Sequence, residues 1–590
     1  MKKIKYILTF ISLFILWGCN DTLDRFPKDK LIPEDFFKTE RDLEYFSNTF
    51  YNIFPSESGI IRENVDNVTH YSLTSELLGS RLVPGDVGSG GWNWGYLREV
   101  NILLAYSHQC PDEKIRSKYN ALAKFFRAYF YFEKVKRFGD VPWYDKPLLS
   151  NDPELKKPRD SRELIMQKIL EDLDEAILNL PSKPSLYRIT KWTALALKSR
   201  VCLFEGTFRK YHNIIVDGID YKPYLEQAVK ASNEFIELSS YTLYEGNPTT
   251  AYRDLFAAQN AIPDEIILAR NFNDEYGVTH NSNFYTLGSS LGKPGLTKKI
   301  INSYLMKDGS RFTEKANFET MLFKNECLDR DPRLAQTIRT PGYTRLDENK
   351  KLSPDLAYTS TGYHPIKFVT ETKYDSYGKS TNDLPLFRTA EVYLNLAEAK
   401  AELGNLTQED LDKTIGKIRS RVGMPKLDLE SSNANPDPYL LSPKTGYPNV
   451  KGNNQGVILE IRRERSIELI MENFRYYDMM RWKEGKTFEE EILGVYIPSL
   501  VDFDFDGDGI PDVCFYKGAK PTTKAPISLQ VDEDIFLSES DHGYISPHKT
   551  MKRRWREDRD YLYPIPTDDI LATDGALKQN PNWEDGLNFE

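Results

Sequence analysis

Apolar residues recur at helical spacing in segment after segment of this chain, and that periodicity restricts the fold more than any other feature. In 161–180, SRELIMQKILEDLDEAILNL, the residues Ile165, Ile169, Leu173, Ile177 and Leu180 lie at intervals that place them on one face of a helix. Ser161 is positioned to cap its start and Pro181 to stop it. In 118–137, Leu122, Phe126, Tyr129 and Phe130 make a similar stripe, with Gly139 as terminator. Segments 190–206 and 224–238 continue the pattern. A second set lies far downstream. In 388–403, Val392, Leu396, Ala399 and Leu403 share a face beside small alanines, and Gly404 ends the run; 410–421 and 456–473 are further helix candidates. Paired helices of this kind bury their faces by stacking on neighbours, as tetratricopeptide-like units do. The repeat consensus itself is not visible, so spacing leaves a repeat stack and an irregular bundle both open. Between and after the helical sets, 245–390, 425–455 and 500–590 are rich in Pro, Gly, Asn and Asp.

The N-terminus reads as an export signal. Lys2, Lys3 and Lys5 precede an unbroken apolar run from Tyr6 to Trp17. As a helix that run rises about 18 Å, against roughly 30 Å of bilayer hydrocarbon, so it suits a secretory leader and not a span. Leu16-Trp17-Gly18-Cys19 resembles the lipobox of bacterial lipoproteins, in which the cysteine is lipidated and begins the mature chain. Trp17 stands where a small residue is usual; an ordinary signal peptide with a chance cysteine is the lesser alternative. The expected division is a signal peptide at 1–18 and a mature body at 19–590, anchored through Cys19.

Composition narrows the partners. The chain has 35 Tyr, 31 Phe and 8 Trp among 590 residues, enough for a large core or for a surface facing carbohydrate or peptide. A net charge of −10 without long like-charge runs argues against nucleic acid. Beyond Cys19, the cysteines Cys110, Cys202, Cys327 and Cys514 are far apart with no C-x-x-C pair, which excludes cysteine metal chemistry and identifies no disulfide. Cys202, in an apolar helical stretch, reads as a buried thiol.

Five blocks carry a family resemblance. They are AKFFRAYFYFEKVKRFGDVPWYDKPL (123–148), the two helices of 161–208, FRTAEVYLNLAEAKAELGN (387–405), ILEIRRERSIELIMENFRYYDMMRWK (458–483) and YLYPIPTDDILATDGALKQNPNW (561–583). In this order they resemble the SusD/RagB family of Bacteroidetes outer-membrane lipoproteins over essentially the whole mature chain. The resemblance implies a mainly α fold of four tetratricopeptide-like helix pairs. The scaffold would occupy about 40–245 and 385–485, with an irregular binding region at about 245–385 and 485–590. It also implies a lipid-anchored protein on the outer face of the outer membrane that captures nutrient and passes it to a SusC-like TonB-dependent transporter. Most family members handle glycans and a minority handle peptides.

The same blocks have a physical reading. Glu460, Arg462, Arg463, Glu464, Arg465 and Glu468 alternate along one helix, with Tyr476, Tyr477 and Trp482 after it. A binding site and a helix knitted in by ion pairs both fit, and the second is the better account. Pro564 and Pro566 suggest a rigid wrap of the C-terminal segment over the scaffold.

The sharpest ligand candidate is GSGGWNWGYLREVN, 88–101. In an extended segment Trp92, Trp94 and Tyr96 would share a face, and indole faces stack on pyranose rings. The alternative is that the tryptophans plug the bundle. Arg81 and Asn101, flanking the loop, are the expected polar partners. From the middle insertion, where family members often complete the site, Tyr276, Phe284 and Tyr285 are the candidates.

Residues 502–513, DFDFDGDGIPDV, resemble the first nine positions of an EF-hand-type loop. Asp504, Asp506, Asp508 and Asp512 and the Ile510 carbonyl are the expected Ca²⁺ ligands. Phe515 stands where the bidentate glutamate would be, so the loop is closer to short extracellular calcium loops, with a structural role; a solvated acidic turn is the alternative. The rival to a binder is a secreted glycan hydrolase, which needs two carboxylates at a defined separation that sequence cannot single out. No H-E-x-x-H, G-x-S-x-G or Walker pattern is present. The expectation is a non-catalytic binder.

Overall fold

A computed structural model describes residues 33–586; the leader and Cys19 lie outside the described residues. The principal helices are α1 (Glu40–Ser47), α2 (Gly95–Tyr106), α3 (Glu113–Phe138), α4 (Arg162–Asn179), α5 (Lys191–His212), α6 (Lys222–Leu238), α7 (Thr389–Leu403), α8 (Gln408–Lys413), α9 (Ile415–Arg421), α10 (Gln455–Glu468), α11 (Arg475–Arg481) and α12 (Thr567–Ala572). Each helix from α2 to α6 packs on the next in the chain, and α7 packs on α10. The fold is mainly α, and its scaffold is a stack of helices. The signals that set its ends are those of the sequence: Ser161 accepts from the Leu164 amide at 3.2 Å, and Gly404 closes α7 at φ 82. Where α5, α6 and α7 meet, Cys202, Leu225, Ala228 and Ala399 form a small core. A Cβ at Gly206 would lie 2.6 Å from Leu225, so glycine permits the close approach of α6. Burial pushes the Cys202 thiol up to about 12, which leaves it inert.

Two expected helices end differently. Segment 410–421 divides at Thr414 into α8 and α9. The helix expected over 456–473 stops at Glu468, because the Glu468 carbonyl accepts from Tyr252 Oη (2.7 Å) and Arg388 Nη2 (2.8 Å) instead of from the next turn. Met471 and Asn473 follow at φ 61, a left-handed conformation costly for a non-glycine residue.

Between α6 and α7 the chain leaves the stack through β1 (Ile266–Arg270) and returns through β2 (Leu384–Arg388), which pairs antiparallel with β1. Tyr252, Phe256, Phe323, Tyr363 and Phe368 of this insertion share a core with Val495, Phe503, Phe505 and Ile545, so two separate stretches fold as one layer. The last segment returns to the scaffold. Trp555 and Tyr561 join the core around α7 and α10, and Tyr563, Ile565 and Leu577 join the core around α2 to α6. The Tyr563 amide donates to Arg137 O at 2.8 Å and that of Thr567 to Pro84 O at 2.9 Å, which makes the segment the expected wrap.

Buried charge pins the insertion to the stack. Glu468 of α10 accepts from Arg421 at 2.6 and 2.7 Å, Arg388 at 2.8 Å and Arg333 at 3.3 Å. Arg388 also reaches Glu265 at 3.0 Å and Glu472 at 2.7 Å, and Arg333 reaches Glu464 at 3.0 Å. Burial alone would raise the Glu468 carboxyl, but the guanidinium charges outweigh it and hold it well below the usual range. Trp482 is fully buried and donates its indole N–H to Glu398 at 2.7 Å. The alternating charges of 458–483 thus make buried ion pairs that knit the helix into its neighbours.

Candidate functional site

The aromatic loop 88–94 is not extended. Gly88, Gly90 and Gly91 take φ of 72, 57 and 91, so the segment coils and the alternation that would have aligned three rings is lost. Trp92 is 2% exposed and packs edge-on against Phe138, with ring centroids 4.8 Å apart. Trp94, half-buried, meets Trp92, Phe130, Tyr131 and Tyr144. Tyr96, in the first turn of α2, is exposed and does not join them in lining a common cavity. The expected three-ring platform is therefore corrected to two tryptophans at the wall of a pocket.

Lys134 of α3 holds the loop in place. Its Nζ donates to Gly91 O at 2.5 Å and Asn93 O at 2.6 Å, and it sits 5.4 Å from the Trp94 ring centre. Burial first, and then the neighbouring Arg137, push this ammonium down to about 7.

Trp92 and Trp94 line a cavity of about 600 Å³. Its other walls are Leu97 and Asn101 of α2, the 142–156 segment with Tyr144 and Leu148, and Ala572, Thr573 and Leu577 at and after α12. The C-terminal wrap thus supplies one wall, and the Gly88 amide ties it down by donating to Asp569 Oδ2 at 2.8 Å. Arg98, Lys146 and Lys156 stand exposed around the opening. Sequence reasoning missed Tyr144, Leu148 and Leu577. The first two lie in the Pro-rich VPWYDKPLL run, whose aromatics were a readable signal, but nothing local marked the last.

The expected polar partners are committed elsewhere. Asn101 reaches the cavity, yet its Nδ2 donates to Tyr144 O (3.0 Å) and Lys146 O (3.3 Å), and its Oδ1 accepts from Arg127 at 3.5 Å. It clamps the 142–148 segment against α2. Arg81 is buried under the wrap: its Nη2 donates to Asp560 O at 2.5 Å, and its guanidinium lies 4.5 Å from the Tyr563 ring centre. Tyr285 is 1% exposed and bonds His70 Nε2 at 2.7 Å, so it belongs to the insertion core. Tyr276 is 76% exposed, and Phe284 packs edge-on against Tyr377. Among the described residues none from 245–385 lines the cavity, so the insertion does not complete this site.

The acidic loop sits at the turn of a hairpin. β3 (Asp502–Phe503) pairs antiparallel with β4 (Val513–Tyr516), which is joined in parallel by β5 (Ile527–Gln530). Alternation sends Phe503 and Phe505 into the insertion core and leaves Asp504 and Asp506 on the other side. Carboxylate oxygens of Asp504, Asp506 and Asp512 lie within 4.8 Å of one another, a grouping able to hold a cation. Asp508 is not part of it: its Oδ1 accepts from the Ile510 amide at 2.7 Å. Asp504 also accepts from Gly507 (2.6 Å) and Gly509 (2.8 Å). Burial, with the charges of Asp506 and Asp504, raises the Asp512 carboxyl.

A family model described as the SusD family matches residues 264–583, and a second, described as starch-binding associating with outer membrane, matches residues 63–203. The chain is similar to SusD-like protein P38 of Formosa agariphila, at 23% identity over 528 residues covering 84% of this chain and 95% of that protein. It is likewise similar to a SusD-like protein of Bacteroides ovatus, at 24% identity covering 91% of this chain and 95% of that protein. Its fold matches a crystal structure of a SusD-like protein from Bacteroides fragilis with a TM-score of 0.69 at 24% identity, covering 95% of this chain and 100% of that one. A SusD-like carbohydrate binding protein of the same species aligns with a TM-score of 0.65 at 20% identity, covering 92% of this chain and 99% of that one. The first family match alone spans more than half of the sequence, and the chain belongs to the SusD family.

Proposed function

We propose that this protein is a non-catalytic glycan-binding lipoprotein, held by Cys19 on the outer face of the outer membrane, which delivers oligo- or polysaccharide to a SusC-like TonB-dependent transporter. The observation that carries the reading is the cavity beside Trp92 and Trp94, whose α2 and 142–156 walls fall within the segment matched by the starch-binding model. The carbohydrate-binding relative of the same fold supports it. Affinity electrophoresis in gels containing candidate glycans tests it. The protein should be retarded, and Trp94→Ala should weaken retention about tenfold or more. Unretarded wild-type protein across the panel, with saturable peptide binding in its place, would move the assignment to peptide uptake.

The acidic loop supports a second, structural proposal: Ca²⁺ held by Asp504, Asp506 and Asp512 with the Ile510 carbonyl. Three negative charges this close repel one another, and a divalent cation relieves that cost. Calorimetric titration of the mature protein with Ca²⁺ should give saturable heat that Asp506→Ala abolishes. An absence of heat in the wild type sinks the proposal.

A further inference from the structure

We infer that the cavity takes an apolar group, acyl or aryl, esterified to the glycan, while the sugar rings themselves lie across its charged opening. The inference rests on the glycan-binding reading and concerns what that same site recognises.

The polarity of the cavity is divided by depth. At the floor, Trp92, Leu97, Pro142 and Leu577 are all buried. Asn101 and Thr573, two polar side chains of this wall, are already satisfied within the protein. Asn101 is held by Tyr144 O, Lys146 O and Arg127, and the Thr573 hydroxyl donates to Ile570 O at 2.9 Å while accepting from the Leu577 amide at 3.1 Å. A pyranose ring pushed to this depth would bury several hydroxyls without matching partners, which is unfavourable. Nor does the floor offer an open stacking face, because Trp92 is enclosed edge-on between Phe138 and Trp94. Ring edges and aliphatic carbons suit a methyl, acyl or aromatic group, whose burial needs no directional partner.

The opening has the opposite character. Arg98, Lys146 and Lys156 lie around it with exposed side chains. Arg98 donates to Leu148 O, Lys146 pairs with Glu154 at 2.6 Å and Lys156 with Asp574 at 2.7 Å. These solvent-facing partners can be exchanged for hydroxyls and ester carbonyls, while exposed Leu155 and Val87 extend the apolar wall outward. A ligand matched to both parts has a polar backbone and an apolar appendage.

Calorimetry on the full mature protein tests this with acetylated xylan, acetylated glucomannan and feruloylated arabinoxylan oligosaccharides, each before and after mild alkaline de-esterification. At least one esterified form should bind about tenfold or more tightly than its de-esterified partner. Ala572→Trp, which fills the cavity from an exposed position, and Leu155→Asp, which places a charge at its edge, should bring that ratio towards one. Circular dichroism verifies that both variants are folded. Equal affinity before and after de-esterification overturns the inference and leaves glycan binding standing. Absence of binding to every glycan in either form overturns the glycan reading and the inference with it. Saturable binding of phenylalanine-containing peptides alone does the same and assigns the cavity to a peptide side chain.

Discussion

Glu63 and Asp66, three residues apart and both buried, show how partners decide the fate of a carboxyl. Asp66 accepts from Arg475 at 2.7 Å and from Lys299 at 2.8 Å, and although burial opposes ionisation these charges hold it well below the usual range. Glu63 has neutral hydrogen-bond partners, the Asn67 side chain and the Asn473 amide at 3.1 Å, and burial outweighs them and pushes it up to about 7. A folded-state value above the unfolded one means that stability is greatest below the ordinary glutamate value and is lost as pH rises towards 7. Glu63→Gln keeps the acceptor and removes the charge. Chemical denaturation should therefore show the variant more stable than wild type at pH 8, by about 1–3 kcal/mol, and nearly equal at pH 4. A constant difference across that range refutes the account. No sequence pattern separates these two carboxyls, because their partners Arg475, Lys299 and Asn473 arrive from remote parts of the chain.

Elements were legible where local chemistry alone decides them. The period of 161–180, with Ser161 before it and Pro181 after it, places α4 to within a residue or so of its observed ends. The end of α10 was not legible, since it depends on Tyr252 and Arg388 capturing the Glu468 carbonyl. The aromatic loop failed for a related reason. An extended segment would align its rings on one face, whereas Gly88, Gly90 and Gly91 adopt the left-handed turns that tuck Trp92 inward. What keeps the loop coiled is Lys134, on a different element, through the Gly91 and Asn93 carbonyls. Lys134→Ala should release those carbonyls, shift the tryptophan emission to the red and lower glycan affinity, while thermal unfolding changes by only about 1–2 kcal/mol. Unchanged emission and affinity would mean that packing of Trp92 suffices without the ammonium.

Across the whole molecule, charge networks do the joining that sequence distance would otherwise prevent. Arg388 links Glu265 before β1, Glu468 on α10 and Glu472 beyond it, so one side chain ties the insertion to the stack at its point of return. Arg388→Ala strands buried carboxylates and should cost about 3–5 kcal/mol in denaturant unfolding. Because Glu468 and Glu398 are held below their usual range, Glu398 down to about 2, the stability they confer is present above the ordinary glutamate value and drains away as pH falls towards 2. The helices were readable from periodicity and their stacking only from the resemblance of the five blocks; the shared core of the two irregular stretches was not readable, because nothing local links Phe323 to Phe505. The wall that α12 and Leu577 give to the tryptophan cavity has a consequence for biosynthesis. A chain emerging from its N-terminus makes Trp92 and Trp94 early, yet the pocket closes only when residues some 480 positions later reach Pro84 and Gly88. The cavity is thereby left without one wall until residues 569–577 are made, and a product truncated before them is a scaffold with an unfinished tryptophan pocket.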